Sequence, residues 1–146
     1  MEIRDLLQQA LQTASNERIA ASSVVQTHEI HLAQFKSSVQ SAQTERASMA
    51  MIHDAADKNY RKLLDYCNSR TDQSDRNSLS AEIERLAQEV SKTAVNLRMA
   101  DDAVRRAQSR MSDMERDRSV AQANLSLATE RWEQIRKQLN EAGPQL

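Results

Sequence analysis

The stretch "NSRTDQSDRNS", Asn68 to Ser78, runs for eleven residues without one apolar side chain. On both sides of it the chain returns to an apolar residue every three or four positions, the spacing of one face of a helix. Reading the stretch as the connection between two helices decides the fold. Composition agrees, because turns draw on Gly and Pro for their special backbone angles and the chain has one of each among 146 residues. Few turns leave room for few elements. Charged residues make up 28% and aromatic residues 3%, a mix that suits long, exposed helices and falls short of what a globular core of this length encloses. An elongated chain is expected.

After the polar stretch, Ile83, Val90, Leu97, Val104, Met111, Arg118, Leu125, Trp132 and Leu139 recur at one heptad position, a. Leu79, Leu86, Thr93, Ala100, Ala107, Met114, Ala121, Ala128, Ile135 and Ala142 recur at the other, d. Before it the a series is Leu11, Arg18, Val25, Leu32, Val39, Arg46, His53, Tyr60 and Cys67, and the d series is Leu7, Ala14, Ala21, His28, Phe35, Ala42, Met49, Ala56 and Leu63. The pattern predicts an all-α fold: a long antiparallel two-helix coiled coil, an α-hairpin, with helices over about 3–67 and 78–142, each roughly 95 Å long at 1.5 Å per residue. It forms a single coiled-coil hairpin over 1–146, with 68–78 as the interhelix loop and 143–146 as a short tail.

An antiparallel seam pairs a with d. Setting Cys67 opposite Leu79 makes facing residue numbers sum to 146. Small then faces large: Tyr60 meets Leu86, Ala56 meets Val90, Ala42 meets Val104, Val39 meets Ala107 and Ala14 meets Trp132, as constant spacing at native density requires. Polar residues share layers, His53 with Thr93 and His28 with Arg118. Arg18 and Arg46 face Ala128 and Ala100, across which an Arg stem can reach water. Slipping by one heptad leaves Leu79 and Ile83 unpaired and sets Phe35 on Arg118.

The ends carry their own signals. Asn77 or Ser78 is expected to cap the second helix, with Glu82 in its first turn, and Gly143 with Pro144 to stop it. Asp54 to Lys58, Asp57 to Arg61, Asp101 to Arg105, Asp102 to Arg106 and Glu133 to Lys137 are acid-first pairs four residues apart, read as devices of a solvated face.

Chemistry finds little to use. Lys and Arg number 20 against 21 Asp and Glu, net charge -1, with signs interleaved, which disfavours a nucleic-acid stripe or a polybasic membrane anchor. No apolar run approaches the roughly 20 residues that span a bilayer, and "MEIRDLLQQALQTA" lacks the features of a signal peptide. Cys67 has no intrachain partner, so no disulfide is expected and a cytoplasmic setting is the simplest. His28 and His31 are three apart, but His53 lies about 37 Å further along the axis, so one chain gathers no four-ligand metal site. A polar, register-fixing role in the seam suits them better. A single Gly rules out a Gly-rich phosphate loop. Neither catalytic, cofactor nor metal residues are assigned. Trp132 reads as core before hot spot, while Val95, Met99, Ile19 and Ile30 point away from the seam and suit docking.

A chain of this length, wholly an antiparallel two-helix coiled coil from Leu7 to Ala142, resembles the FliJ/YscO family of type III secretion stalk proteins. The resemblance implies a cytoplasmic, non-enzymatic stalk, peripheral to a membrane-embedded apparatus. Its partners would be the hexameric secretion ATPase, the export gate and chaperones, with no nucleic acid and no membrane insertion, and the chain itself a monomer or weak dimer. The terminal helix segments would enter the ATPase ring, making Leu7, Leu11, Ala14, Trp132, Ile135 and Leu139 the partner-binding candidates. A generic coiled-coil scaffold or tether for partner helices is the other reading. An RNA-binding arm lacks its basic stripe, a prefoldin-like chaperone its strands, and a membrane-bending module its cationic face.

Overall fold

The structure is a computed structural model and describes residues 2–70 and 73–143. Two helices account for nearly all of these, α1 over Ile3–Ser69 and α2 over Gln73–Glu141. They pack against each other as an all-α helical hairpin, with no strand among the described residues. No helix among them is long and apolar enough to cross a membrane.

The heptad pattern holds residue by residue. Among the a and d residues predicted for both helices, all are buried or half-buried except Arg46 and Ala142. The fully buried residues Ala14, Val25, Val39, Ala56, Cys67, Thr93, Ala100 and Ala121 all lie at those positions. One stripe on each helix is dry because only that stripe meets the other helix.

The chain divides into two compact units. The first joins Met1–Lys36 to Arg110–Leu146 and contains both chain-terminal helix segments. Across it, Arg4 Nη1 donates to Gly143 O at 2.5 Å, Arg131 Nη1 to Glu17 Oε2 at 2.8 Å, and His28 Nδ1 to Met114 Sδ at 3.2 Å. The second unit is Ser37–Ser109. Within it Arg46 Nε donates to Asp101 Oδ1 at 2.5 Å and His53 Nδ1 meets Thr93 Oγ1 at 2.9 Å. The residue numbers in these contacts fall at or within about one helical turn of the predicted sum, on both sides of it, as neighbouring layers of that register require.

Three local expectations need correction. α2 starts at Gln73, so Asn77 and Ser78 are helix interior and cannot cap it, and Glu82 lies beyond the first turn. Asp75 takes the acidic first-turn place instead, where the helix dipole favours an anion. Gln73 to Ser78 of the polar stretch are helical because Gln, Ser, Asp, Arg and Asn tolerate a helix, and none of the six is Gly or Pro. Gln73 Nε2 donates to Asn77 Oδ1 at 3.2 Å, spanning one turn. α1 also runs two residues beyond its expected end, and Arg76 Nε on α2 donates to Arg70 O at 2.9 Å, satisfying a carbonyl just past that end. Thr71 and Asp72 of the expected loop, and Pro144 to Leu146 of the expected tail, lie outside the described residues. Of the five acid-first pairs, Asp57 to Arg61 is formed at 2.9 Å. Arg105 pairs with Asp102, while Asp101 turns across the seam to Arg46.

Candidate partner-binding surface

The six candidate residues all belong to the first unit. The predicted register pairs Leu7 with Leu139, Leu11 with Ile135 and Ala14 with Trp132, and all six lie on the buried stripes of α1 and α2 in that unit. Ala14 is 2% exposed and the other five are half-buried. They are therefore residues of the seam and not an open apolar face.

Trp132 shows how the tip is finished. Its ring is too large to vanish between two helices, so one face remains available, and Arg18 lays its guanidinium 4.2 Å from the ring centroid while Arg136 approaches to 5.2 Å. Two cations on one indole hold the charges near an apolar body and in contact with water. Arg18 thus turns toward Trp132, one turn from the Ala128 it was expected to cross.

Further along the first unit the predicted His28 and Arg118 layer forms differently. A thioether sulfur accepts but cannot donate, so His28 Nδ1 carries the proton it gives to Met114. Arg118 is half-buried, and its Nε is enclosed without a hydrogen-bond partner. The three histidines and Cys67 stay dispersed: among the described residues no group of three or more His, Cys, Asp or Glu is placed to hold a metal ion. Cys67 is a free, buried seam residue.

Apolar side chains that face solvent lie elsewhere. Ile19, Ile30, Val95 and Met99 point outward as expected, at 61%, 61%, 49% and 63% exposed. Val24, Val120 and Leu127 in the first unit, and Ile52 and Tyr66 in the second, are also exposed, and the periodicity of the seam did not single them out. The first three nonetheless follow the heptad: Val24 is a g residue of α1, and Val120 and Leu127 occupy successive c positions of α2. Surface depressions on both units are open to solvent, such as the one between Met49 and Met99 in the second unit.

No family model, curated protein or solved structure matches the chain.

Proposed function

We propose that the chain is a non-enzymatic stalk or adaptor of a type III secretion export apparatus. In this reading the first unit engages the hexameric secretion ATPase and the second faces the export gate. It acts in the cytoplasm beside the membrane-embedded machinery and needs no cofactor. The observation that carries the reading is the closure of the terminal tip, where Arg4 on α1 donates to Gly143 O at 2.5 Å beyond the end of α2. A tip inserted into a ring must keep its two helices together with no covalent loop to hold them, and the Leu7, Leu11 and Ala14 layers beneath supply the apolar contact. The likeness in architecture to the FliJ/YscO stalk proteins supports the same assignment.

The test is ATP hydrolysis by a hexameric secretion ATPase with purified chain added. A stalk promotes ring assembly and raises the rate, and removing residues 1–14 together with 132–146 abolishes the effect. A full-length chain that neither binds nor stimulates the ATPase leaves the second reading, a coiled-coil scaffold for partner helices. That reading is favoured by the outward apolar residues such as Met99 and Leu127, 63% and 62% exposed.

A further inference from the structure

One flank of the first unit carries a pattern that the seam does not use. In an antiparallel pair the g positions of the two helices lie on the same flank, and the ion pair from Arg131 to Glu17, both g residues, at 2.8 Å marks that flank here. Val24 occupies the next g position of α1 and is 48% exposed. On α2, Val120 and Leu127 sit at c, one turn from g, and are 57% and 62% exposed. Ala20, at c of α1, lies beyond Val24, and Ala123, at f of α2, beyond Val120 and Leu127, all exposed, with the exposed g residue Asn124 between the two helices' apolar residues. The opposite flank of the same unit reads Ser15, Ser22, Glu29, Glu115, Gln122 and Thr129 at its e positions. Beside those e positions the exposed Ile19 at b of α1 is a single large apolar residue, whereas the g flank has Val24, Val120 and Leu127 across both helices.

Acidic and basic side chains bracket the patch in alternating order. On one side of it lie Glu17 on α1 and Arg131 on α2, and on the other His31 on α1 and Asp117 on α2, the last two exposed. Glu17 and His31 are each seven residues from Val24, and Arg131 and Asp117 are each seven from Asn124. The pattern is its own complement. A two-fold axis crossing the helices at Val24 and Asn124 sets Glu17 of one copy on His31 of the other and Arg131 on Asp117. It also brings Leu127 of one copy within one residue, about 1.5 Å along the axis, of Val120 of the other, in the isologous manner of two-fold dimers. A foreign helix would have no reason to find acid and base placed symmetrically about the apolar centre.

We propose that this flank, centred on Val24, Val120 and Leu127, is a self-association surface whose occupant is a second copy of the same chain, docked antiparallel. The patch spans about two turns on either side of its centre, about 21 Å from Glu17 to His31, which places the contact among small, transient interfaces. A weak dimer follows, and it stands apart from the stalk reading.

Sedimentation equilibrium of the full chain between about 1 and 200 µM tests it, since small interfaces dissociate in that range. The apparent mass should rise from 16.5 kDa toward twice that value. Leu127→Arg, at a position open enough to leave helicity by circular dichroism unchanged, should weaken dimerisation at least about tenfold by placing a charge in the contact. Asp117→Lys should weaken it too, and Val95→Arg in the second unit should not. A chain that stays monomeric throughout, or a Leu127→Arg variant that dimerises as well as the parent, overturns the proposal.

Discussion

His53 and Thr93 meet across the seam of the second unit, with the imidazole Nδ1 2.9 Å from the hydroxyl Oγ1. Thr93 Oγ1 also lies 2.9 Å from Glu89 O and 3.0 Å from Val90 O, so its single proton goes to its own helix and its lone pair accepts from His53. The two polar intruders of the heptad pattern satisfy each other in one layer. This pairing is possible at one register only, which gives the layer a role in specificity that an apolar pair would lack.

Thr93→Val should therefore cost about 1 to 2 kcal/mol, because it leaves a half-buried imidazole donor without its acceptor. Adding His53→Leu should recover most of that loss by making the layer apolar. Urea unfolding of the two single variants and the double variant completes the cycle, and strictly additive losses would mean the contact contributes nothing.

Arg118 makes the opposite case. Its Nε is enclosed without a partner at an a position of α2, so the layer holds a polar group whose lost hydration is not replaced. Arg118→Leu should raise the stability of the first unit by about 1 kcal/mol, since it removes one unsatisfied group and sets an apolar side chain in the seam. A lower thermal midpoint in the variant would show that Arg118 is compensated in solution.

These layers show what the sequence could and could not disclose. Seam membership was legible because an apolar period of seven leaves only one stripe to bury, and the small-against-large matching of Ala14 with Trp132 favoured one register. The start of α2 was not legible, since the polar stretch that contains the helix ends also contains the first turns of α2. Gln73 to Ser78 needs no apolar contact to be helical when its side chains bond one another along the turn, as Gln73 does to Asn77. The candidate site was legible as a place and not as a surface. Leu7, Leu11 and Leu139 were identified from the same stripe that buries them, so the periodicity that found them also removed them from solvent. Val24, Val120 and Leu127 needed a second stripe, at g and c, to be read.

Trp132→Ala should destabilise the first unit by about 2 kcal/mol, below the roughly 3 to 5 kcal/mol of a fully enclosed aromatic residue because the ring is half-buried, with part of the loss coming from the stacked guanidinium of Arg18. Thermal unfolding followed by circular dichroism measures it. An unchanged midpoint would mean that the terminal layers are frayed in solution.

The Glu82 carboxyl is held below the ordinary carboxylate range, first by the hydrogen bond from Arg85 one turn on and then by that residue's charge. A carboxyl lowered on folding adds stability that is present above its unfolded pKa and lost as the pH falls through its folded value. Arg85→Gln should bring the Glu82 titration, followed by carbon NMR of its side-chain carboxyl, back up toward the ordinary range. A titration unmoved by the substitution would contradict the assignment.

In each unit the a and d stripes of α1 and α2 form an antiparallel seam. In a Cys67→Ser background, cysteines at Leu32 and Met114 tie the two helices at a facing layer, both residues half-buried in the first unit. Mild oxidation should give an intramolecular disulfide between them. Cysteines at Leu32 and Ala121 should stay reduced, because that pair lies about 10 Å apart along the axis, beyond disulfide reach. Preferential bridging of Leu32 with Ala121 would place the seam one heptad away and contradict the account.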